Sequence, residues 1–254
     1  MIDLHSHILP GLDDGARTVE DSVAIAESAV EEGVRTIAAT PHVRADYPTT
    51  AAAMEQALAT TGAALRARGI PLELLPGAEL DLEYLWRVDE RELARLGLGG
   101  NPRLLLVEFP YVGWPPNLAT ELAELRRRGM TVILAHPERN PEVQAAPARL
   151  SPLVEAGTFV QLTAASVVGM LGTTARTAAL DLLELELAHV VAGDVHSAGS
   201  RVGIGRLTDA LRGDAALARW LTTDVPSALL RSVLVPERPP RRRRRRWSPR
   251  RLVG

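Results

Sequence analysis

The sequence predicts an α/β barrel of parallel strands, and three observations carry that expectation. Seven short runs are apolar almost without interruption, as strands buried on both faces must be. Longer amphipathic stretches with readable ends alternate with them, the order that builds βα units. Histidines and carboxylates come after the apolar runs, and the C-terminal ends of strands are where a barrel gathers its chemistry. No G-x-G-x-x-G comes after a run, which argues against an open dinucleotide-binding sheet and for an irregular (β/α)7 barrel.

The predicted strands are Met1–Leu4, Arg35–Thr40, Leu72–Pro76, Leu104–Phe109, Thr131–Ala135, Phe159–Leu162 and His189–Ala192. After the first, Thr18-Val19-Glu20-Asp21 reads as a capping box opening a helix that stops at Gly33. Thr49–Arg68 stops at Gly69, Pro115–Arg128 at Gly129 and Pro147–Ala156 at Gly157. Thr173 or Thr174 is placed as the cap of a helix running to about Leu187. No internal repeat stands out.

Composition narrows the chemistry. The 254 residues, 46% hydrophobic, suffice for one large α/β domain. There is no cysteine, so disulfides, thiolate ligands and a cysteine nucleophile are excluded. All 29 basic residues are Arg, which excludes a lysine Schiff base and a P-loop lysine. No apolar run approaches the ~20 residues of a membrane helix, and no basic-then-apolar leader opens the chain. The expected location is cytoplasmic.

A net charge of −2 conceals a split. Residues 238–254 hold nine Arg and no acid, leaving 20 basic against 31 acidic residues elsewhere. Six consecutive Arg (Arg241 to Arg246) between Pro239, Pro240 and Pro249 have nothing to bury. The expected organisation is therefore a catalytic domain over residues 1–236 and a disordered Arg-rich tail over 237–254. Such a tail is expected to contact anionic lipid or acidic segments, peripherally at the inner membrane face, with no specific nucleic-acid reading.

Five of the six histidines (His5, His7, His42, His136 and His196) come just after predicted strands, and Asp14, Glu79, Glu108 and Asp194 stand beside them. One buried His is ordinarily a hydrogen-bonded core residue. Five at strand ends among carboxylates point to divalent metal. Nine ligands are too many for one ion and enough for two or three with bridging carboxylates. His189, at the start of a strand, is read as ordinary.

The order of these motifs resembles the PHP (polymerase and histidinol phosphatase) family. The segment Asp3-Leu4-His5-Ser6-His7-Ile8-Leu9-Pro10-Gly11-Leu12-Asp13-Asp14-Gly15 is most similar to one branch. That branch is the bacterial manganese-dependent tyrosine-protein phosphatases of capsule and exopolysaccharide synthesis. The likeness continues through Ala39-Thr40-Pro41-His42, Gly77-Ala78-Glu79, Val107-Glu108-Phe109-Pro110, Ala135-His136-Pro137-Glu138-Arg139 and Asp194-Val195-His196, over roughly residues 1–235.

The resemblance implies a distorted seven-stranded TIM-like barrel with a trinuclear centre. By the same resemblance, His5, His7 and Asp194 hold one ion, and Glu79 bridges to a second completed by Glu108 and His136. Asp14, His42 and His196 are implied to hold the third. Asp14 and Glu108 stand where many relatives have His, and the added oxygen favours Mn²⁺, with Fe or Zn²⁺ as alternatives. Val195 and Ser197 depart from the Ala and Asn expected around His196.

The implied activity is hydrolysis of phosphotyrosine by a metal-bridging hydroxide, with Glu108 sharing in catalysis and Arg139 and Arg201 gripping phosphate. The implied partner is a membrane-associated tyrosine kinase. Tyr111 and Trp114 are placed as an apolar wall, Asp3, Asp13 and Glu138 as supports, and Arg206 at the surface. Two alternatives stay open: a small-molecule phosphatase or phosphodiesterase, and a metal-binding regulatory module without turnover.

Overall fold

Among the described residues nine short strands carry the fold, and each of the seven predicted runs overlaps one. They are β1 (Ile2–Asp3), β2 (Thr36–Ala38), β3 (His42–Val43), β4 (Glu73–Leu75), β5 (Glu79–Asp81), β6 (Leu104–Glu108), β7 (Thr131–Ala135), β8 (Phe159–Thr163) and β9 (Val190–Ala192). The computed structural model describes residues 1–198 and 203–240. Every pairing between these strands is parallel, in two sheets ordered β1-β2-β4 and β3-β5-β6-β7-β8-β9.

The two unpredicted strands, β3 and β5, each continue a predicted one after a break. Pro41 separates β2 from β3 and Pro76 lies between β4 and β5, and a proline has no N–H to give a ladder. Backbone bonds from Ala39 to Leu75, Thr40 to Ser6 and Glu79 to Pro41 carry the pairing past both breaks. Beyond β1, Ser6 pairs in parallel with Val195, while Asp194 N–H donates to the His5 carbonyl and His7 N–H to that of Val195. These last bonds join the two sheets between β1 and β9, and the chain itself joins them where β2 runs on to β3 and β4 to β5.

Continuous apolarity is explained by burial. Every residue of β6 is buried, as are Val132–Ala135 and Val160–Thr163. Each such Leu, Ile or Val stabilises the fold by roughly 1.5–3 kcal/mol relative to exposure. Helices supply the outer layer. Thr18 Oγ1 accepts from Asp21 N–H at 3.1 Å and starts Val19–Glu31. The return bond goes from Arg17 N–H to Asp21, one residue earlier than a capping box places it. Thr50 caps Ala51–Ala67.

Other boundaries move for local reasons. The stretch after Pro115 becomes helical only at Leu118, and that after Pro147 is a 3₁₀ turn, Pro147–Leu150, before Ser151–Glu155. Neither Thr173 nor Thr174 caps Thr173–Glu184; Gly172, at φ +90°, precedes it with no side chain to offer. Residues 207–230, which show no clear period, form the short helices Leu207–Ala210, Ala215–Arg219 and Val225–Leu230 around a π turn at Trp220–Asp224.

This last region closes the end of the sheet where strands begin. Trp220 Nε1 donates to the Pro236 carbonyl at 2.9 Å. Arg238 lies over the Trp220 ring and donates to the carbonyls of Ala188 (3.0 Å) and Leu183 (2.9 Å). Arg238 is thus fastened to the body, within the segment expected as tail. The hexa-arginine block and the rest of that segment, residues 241–254, lie outside the described residues. Among the described residues no helix is long and apolar enough to cross a membrane.

Candidate metal centre

The opposite end, where strands finish, collects the polar residues. His5 and His7 come after β1, His42 opens β3 and Glu79 opens β5. Glu108 closes β6, His136 comes after β7, and Asp194 and His196 after β9. All nine proposed ligands enter one cluster, in four overlapping groups whose ligand atoms lie within 4.8 Å of one another. The groups are His7–Asp14–His42–His196, His5–His7–Asp194, His5–Glu79–His136 and His42–Glu79–Glu108. Arg201 lies outside the described residues.

Glu79 is the hub. Its Oε2 is 3.2 Å from His5 Nε2, 3.5 Å from His7 Nε2 and 3.0 Å from His42 Nδ1, while Oε1 is 2.8 Å from His136 Nε2. Asp194 Oδ1 stands 3.4 Å from Nε2 of both His5 and His7. Asp14 Oδ1 approaches Nε2 of His42 at 3.6 Å and of His196 at 3.5 Å. Glu108 Oε2 is 3.8 Å from His42 Nδ1. Geometry therefore puts Glu108 beside His42, and His136 beside His5, whereas the resemblance pairs Glu108 with His136.

The donors fit divalent cations. His5 Nε2 faces His7 Nε2 at 3.3 Å, so two ring nitrogens share a space with at most one proton between them. Among the described residues, Glu79 Oε2, His42 Nδ1 and His136 Nδ1 are buried and meet no hydrogen-bond partner. Unsatisfied buried polar atoms cost ~1–3 kcal/mol each, and an ion ligated by these lone pairs removes that cost. Nitrogen and oxygen without sulfur suit hard or borderline metals.

The fields are strong. Burial disfavours charge on His5, but the carboxylates of Glu79 and Asp194 outweigh it and hold the ring up to about 9. His7 is likewise buried, yet Asp13, Asp194 and Glu79 raise it well above its ordinary value. Burial alone would raise Glu79; the surrounding imidazoles of His5, His136 and His42 hold it well below the usual carboxylate range. Glu108 goes the other way, pushed up by burial and by the Glu79 charge.

A further layer fixes the rings. Asp13 Oδ2 accepts from His7 Nδ1 at 2.7 Å and from His42 N–H at 2.9 Å, while Oδ1 accepts from Gly15 N–H at 2.9 Å. A Cβ on Gly15 would sit 2.2 Å from the His7 carbonyl oxygen, so only glycine fits that turn. His5 Nδ1 lies 3.0 Å from Gln161 Oε1. Gln161 is not among the residues the motifs single out, although a buried amide inside the apolar run Phe159–Leu162 is its available signal. Asp3 accepts from the backbone of His5 and Gly193, and Glu138 from that of Thr163. His136 and Asp194 adopt left-handed backbone, at φ +37° and +55°.

At the rim, Arg139 Nη1 donates to Asp194 Oδ2 at 2.7 Å, with its guanidinium 4.8 Å from the Tyr111 ring centre. Tyr111 stacks on His136 at 5.4 Å and 16°. Trp114 packs edge-on to Phe109 and beneath Arg149. Of the two expected wall residues, Tyr111 is the one stacked on the cluster. Arg206 is exposed.

Comparison with known proteins identifies the family. The chain is 37% identical over 204 residues to the tyrosine-protein phosphatase YwqE of Bacillus subtilis (strain 168), covering 79% of each. A crystal structure from work on YwqE of that species and CpsB of Streptococcus pneumoniae, described as unique metal-dependent tyrosine phosphatases, matches with a TM-score of 0.83. Its sequence identity is 34%, over 95% of this chain and all of that one. The lactonase Lmo2620 of Listeria monocytogenes shares only the fold, at a TM-score of 0.54 and 14% identity over 93% of this chain and 95% of that one. Residues 1–212 match the family described as "Capsular polysaccharide synthesis, CpsB/CapC", and the chain belongs to that family.

Proposed function

We infer that this protein is a metal-dependent tyrosine-protein phosphatase acting in capsular polysaccharide synthesis. One observation carries the reading: in a chain without cysteine, nine residues with nitrogen and oxygen ligand atoms gather in one cluster at the strand ends, in a member of the CpsB/CapC family. His5, His7, Asp14, His42, Glu79, Glu108, His136, Asp194 and His196 are the proposed ligands. Divalent ions, when bound, supply the positive charge that activates water and offsets charge on the phosphoryl oxygens.

The chain's own residues do the rest. Asp13 accepts a hydrogen bond from His7 Nδ1–H and leaves Nε2 facing the cluster; Gln161 Oε1 does the same for His5. Arg139, at the rim, presents a planar fork to phosphate, with Arg201 as the proposed second clamp. Tyr111 lines the approach for an aromatic ring. A phenol leaves with a pKa near ~10, so its oxygen needs less protonation than an alkoxide.

Mn²⁺ as the native ion is supported by the oxygen donors Asp14 and Glu108. Counting β2 with β3 and β4 with β5 as interrupted strands supports a seven-stranded barrel. The charge split supports a catalytic domain over residues 1–236 followed by an Arg-rich tail over 237–254, of which Arg238 contacts the body. That Arg-rich segment supports peripheral contact with anionic lipid or acidic segments, close to a membrane-associated kinase as substrate, for a cytoplasmic enzyme.

The test is a panel of phosphotyrosine peptide, histidinol phosphate and a bis-aryl phosphodiester under Mn²⁺. Phosphotyrosine is expected to turn over fastest, activity to vanish on chelation, and the melting temperature to drop with it, because ions bound by the native state stabilise it. Undiminished turnover in protein verified metal-free, or a preference for the diester, sinks the reading.

A further inference from the structure

A second guanidinium–tyrosine–histidine stack stands at the cluster, built like the one at Arg139. Tyr47 stacks on His42 with ring centres 5.9 Å apart and planes 15° apart, and the Arg44 guanidinium lies 5.1 Å from the Tyr47 ring centre. The two stacks address the two oxygens of Glu79, His136 facing Oε1 and His42 facing Oε2. Each arginine also meets one ligand carboxylate, Arg139 at Asp194 and Arg44 at Glu108.

Arg44 and Tyr47 are held by a tight turn. Arg44 N–H donates to the Tyr47 carbonyl at 3.0 Å and Tyr47 N–H to that of Arg44 at 3.1 Å, while Val43 and Pro48 form an antiparallel bridge. The side chain of Arg44 is 24% exposed, so it reaches from solvent into the cluster. Its Nε is 2.8 Å from Asp46, but Nη1 is 3.5 Å from Glu108, the outer limit of a hydrogen bond. A guanidinium has five donors, and those of Arg44 facing the cluster are lightly engaged among the described residues. Arg139, at 2.7 Å from Asp194, is the more firmly committed of the two.

We propose that Arg44 is a substrate-binding residue that grips a phosphoryl oxygen opposite Arg139, with Tyr47 as the residue that positions its fork. Two forks suit a phosphomonoester, which carries close to two negative charges at neutral pH, better than a singly charged diester. The assignment rests on the phosphatase reading, and binding of inorganic phosphate separates the two.

The measurement is calorimetric titration of Mn²⁺-loaded protein with inorganic phosphate, beside metal content and kcat/KM on phosphotyrosine peptide. Arg44→Ala is expected to weaken phosphate on the order of tenfold or more, the loss of a charge-assisted bond, with metal content unchanged. Arg44→Lys falls between, because it keeps the charge and loses the fork. Tyr47→Phe keeps the wild-type affinity and Tyr47→Leu loses part of it. Phosphate affinity within twofold of wild type in both Arg44 variants overturns the proposal. Loss of metal in Arg44→Lys also overturns it, since Arg44 would then serve only Glu108. Wild-type protein that binds phosphate but leaves phosphotyrosine intact refutes the activity without touching the Arg44 assignment.

Discussion

Five histidines sit where the strands end and one, His189, sits where a strand begins, and the two places treat the same ring oppositely. His5 is buried among Glu79 and Asp194 and is held up to about 9. His189 is shielded by Phe159 and Trp220, has Arg238 as its charged neighbour, and is pushed down to about 4, mostly by burial. Its Nδ1 accepts the Val160 N–H at 3.2 Å, as a neutral ring does. Burial by itself makes imidazole a neutral core residue. Carboxylates in the same small volume turn it into part of a seat for cations.

The contrast breaks most visibly at the hub. His136→Ala and Glu108→Gln are expected to lose bound metal and turnover together, whereas His189→Gln keeps both. Elemental analysis alongside steady-state kinetics decides this, and full metal occupancy in His136→Ala refutes its assignment. Next in size, Arg139→Ala is expected to lower kcat/KM by about 10²–10³-fold with metal retained, the loss of one donor aimed at developing charge. Wild-type efficiency in that variant removes Arg139 from the substrate.

A smaller effect tests the other end. The folded-state pKa of His189, about 4, lies below its unfolded value of about 6.5. The unfolded chain therefore takes up a proton first as pH falls through that window, and stability drops between pH ~6.5 and ~4, then levels off. The contribution is ~3 kcal/mol, and His189→Gln should flatten that part of the denaturation profile relative to wild type. Equal slopes in the two proteins refute it. The smallest effect is expected from deleting residues 241–254. Turnover of a small aryl phosphate stays unchanged, while binding to anionic vesicles weakens and the difference shrinks at high salt. Loss of small-substrate turnover would instead make the segment part of the catalytic body.

Much of the fold is legible in the sequence. Buried parallel strands write themselves as unbroken apolar runs, so Leu104–Glu108 and Thr131–Ala135 are readable nearly to the residue. Glycine stops at Gly33, Gly69, Gly129 and Gly157 are equally plain, all four having positive φ. Helix starts are less legible because Pro115 and Pro147 begin turns before helices. The nine clustered residues are visible as types in order, but their partition is not: which side of Glu79 each imidazole approaches depends on how strands tilt past the breaks at Pro41 and Pro76. Gln161 and Arg44 carry no motif and become visible only through what they touch.

The left-handed backbone at His136 and Asp194 sets a conflict between two kinds of fitness. Residues with a Cβ tolerate that conformation at a cost of order ~1 kcal/mol each, and glycine adopts it freely. Judged by backbone conformation alone, glycine is the easier residue at both places, so His136→Gly should melt higher than His136→Ala in protein stripped of metal. Among small replacements at these two places, a screen that rewards heat resistance without assaying turnover would therefore favour glycine. His and Asp at these two places serve chemistry on a backbone that prefers something smaller.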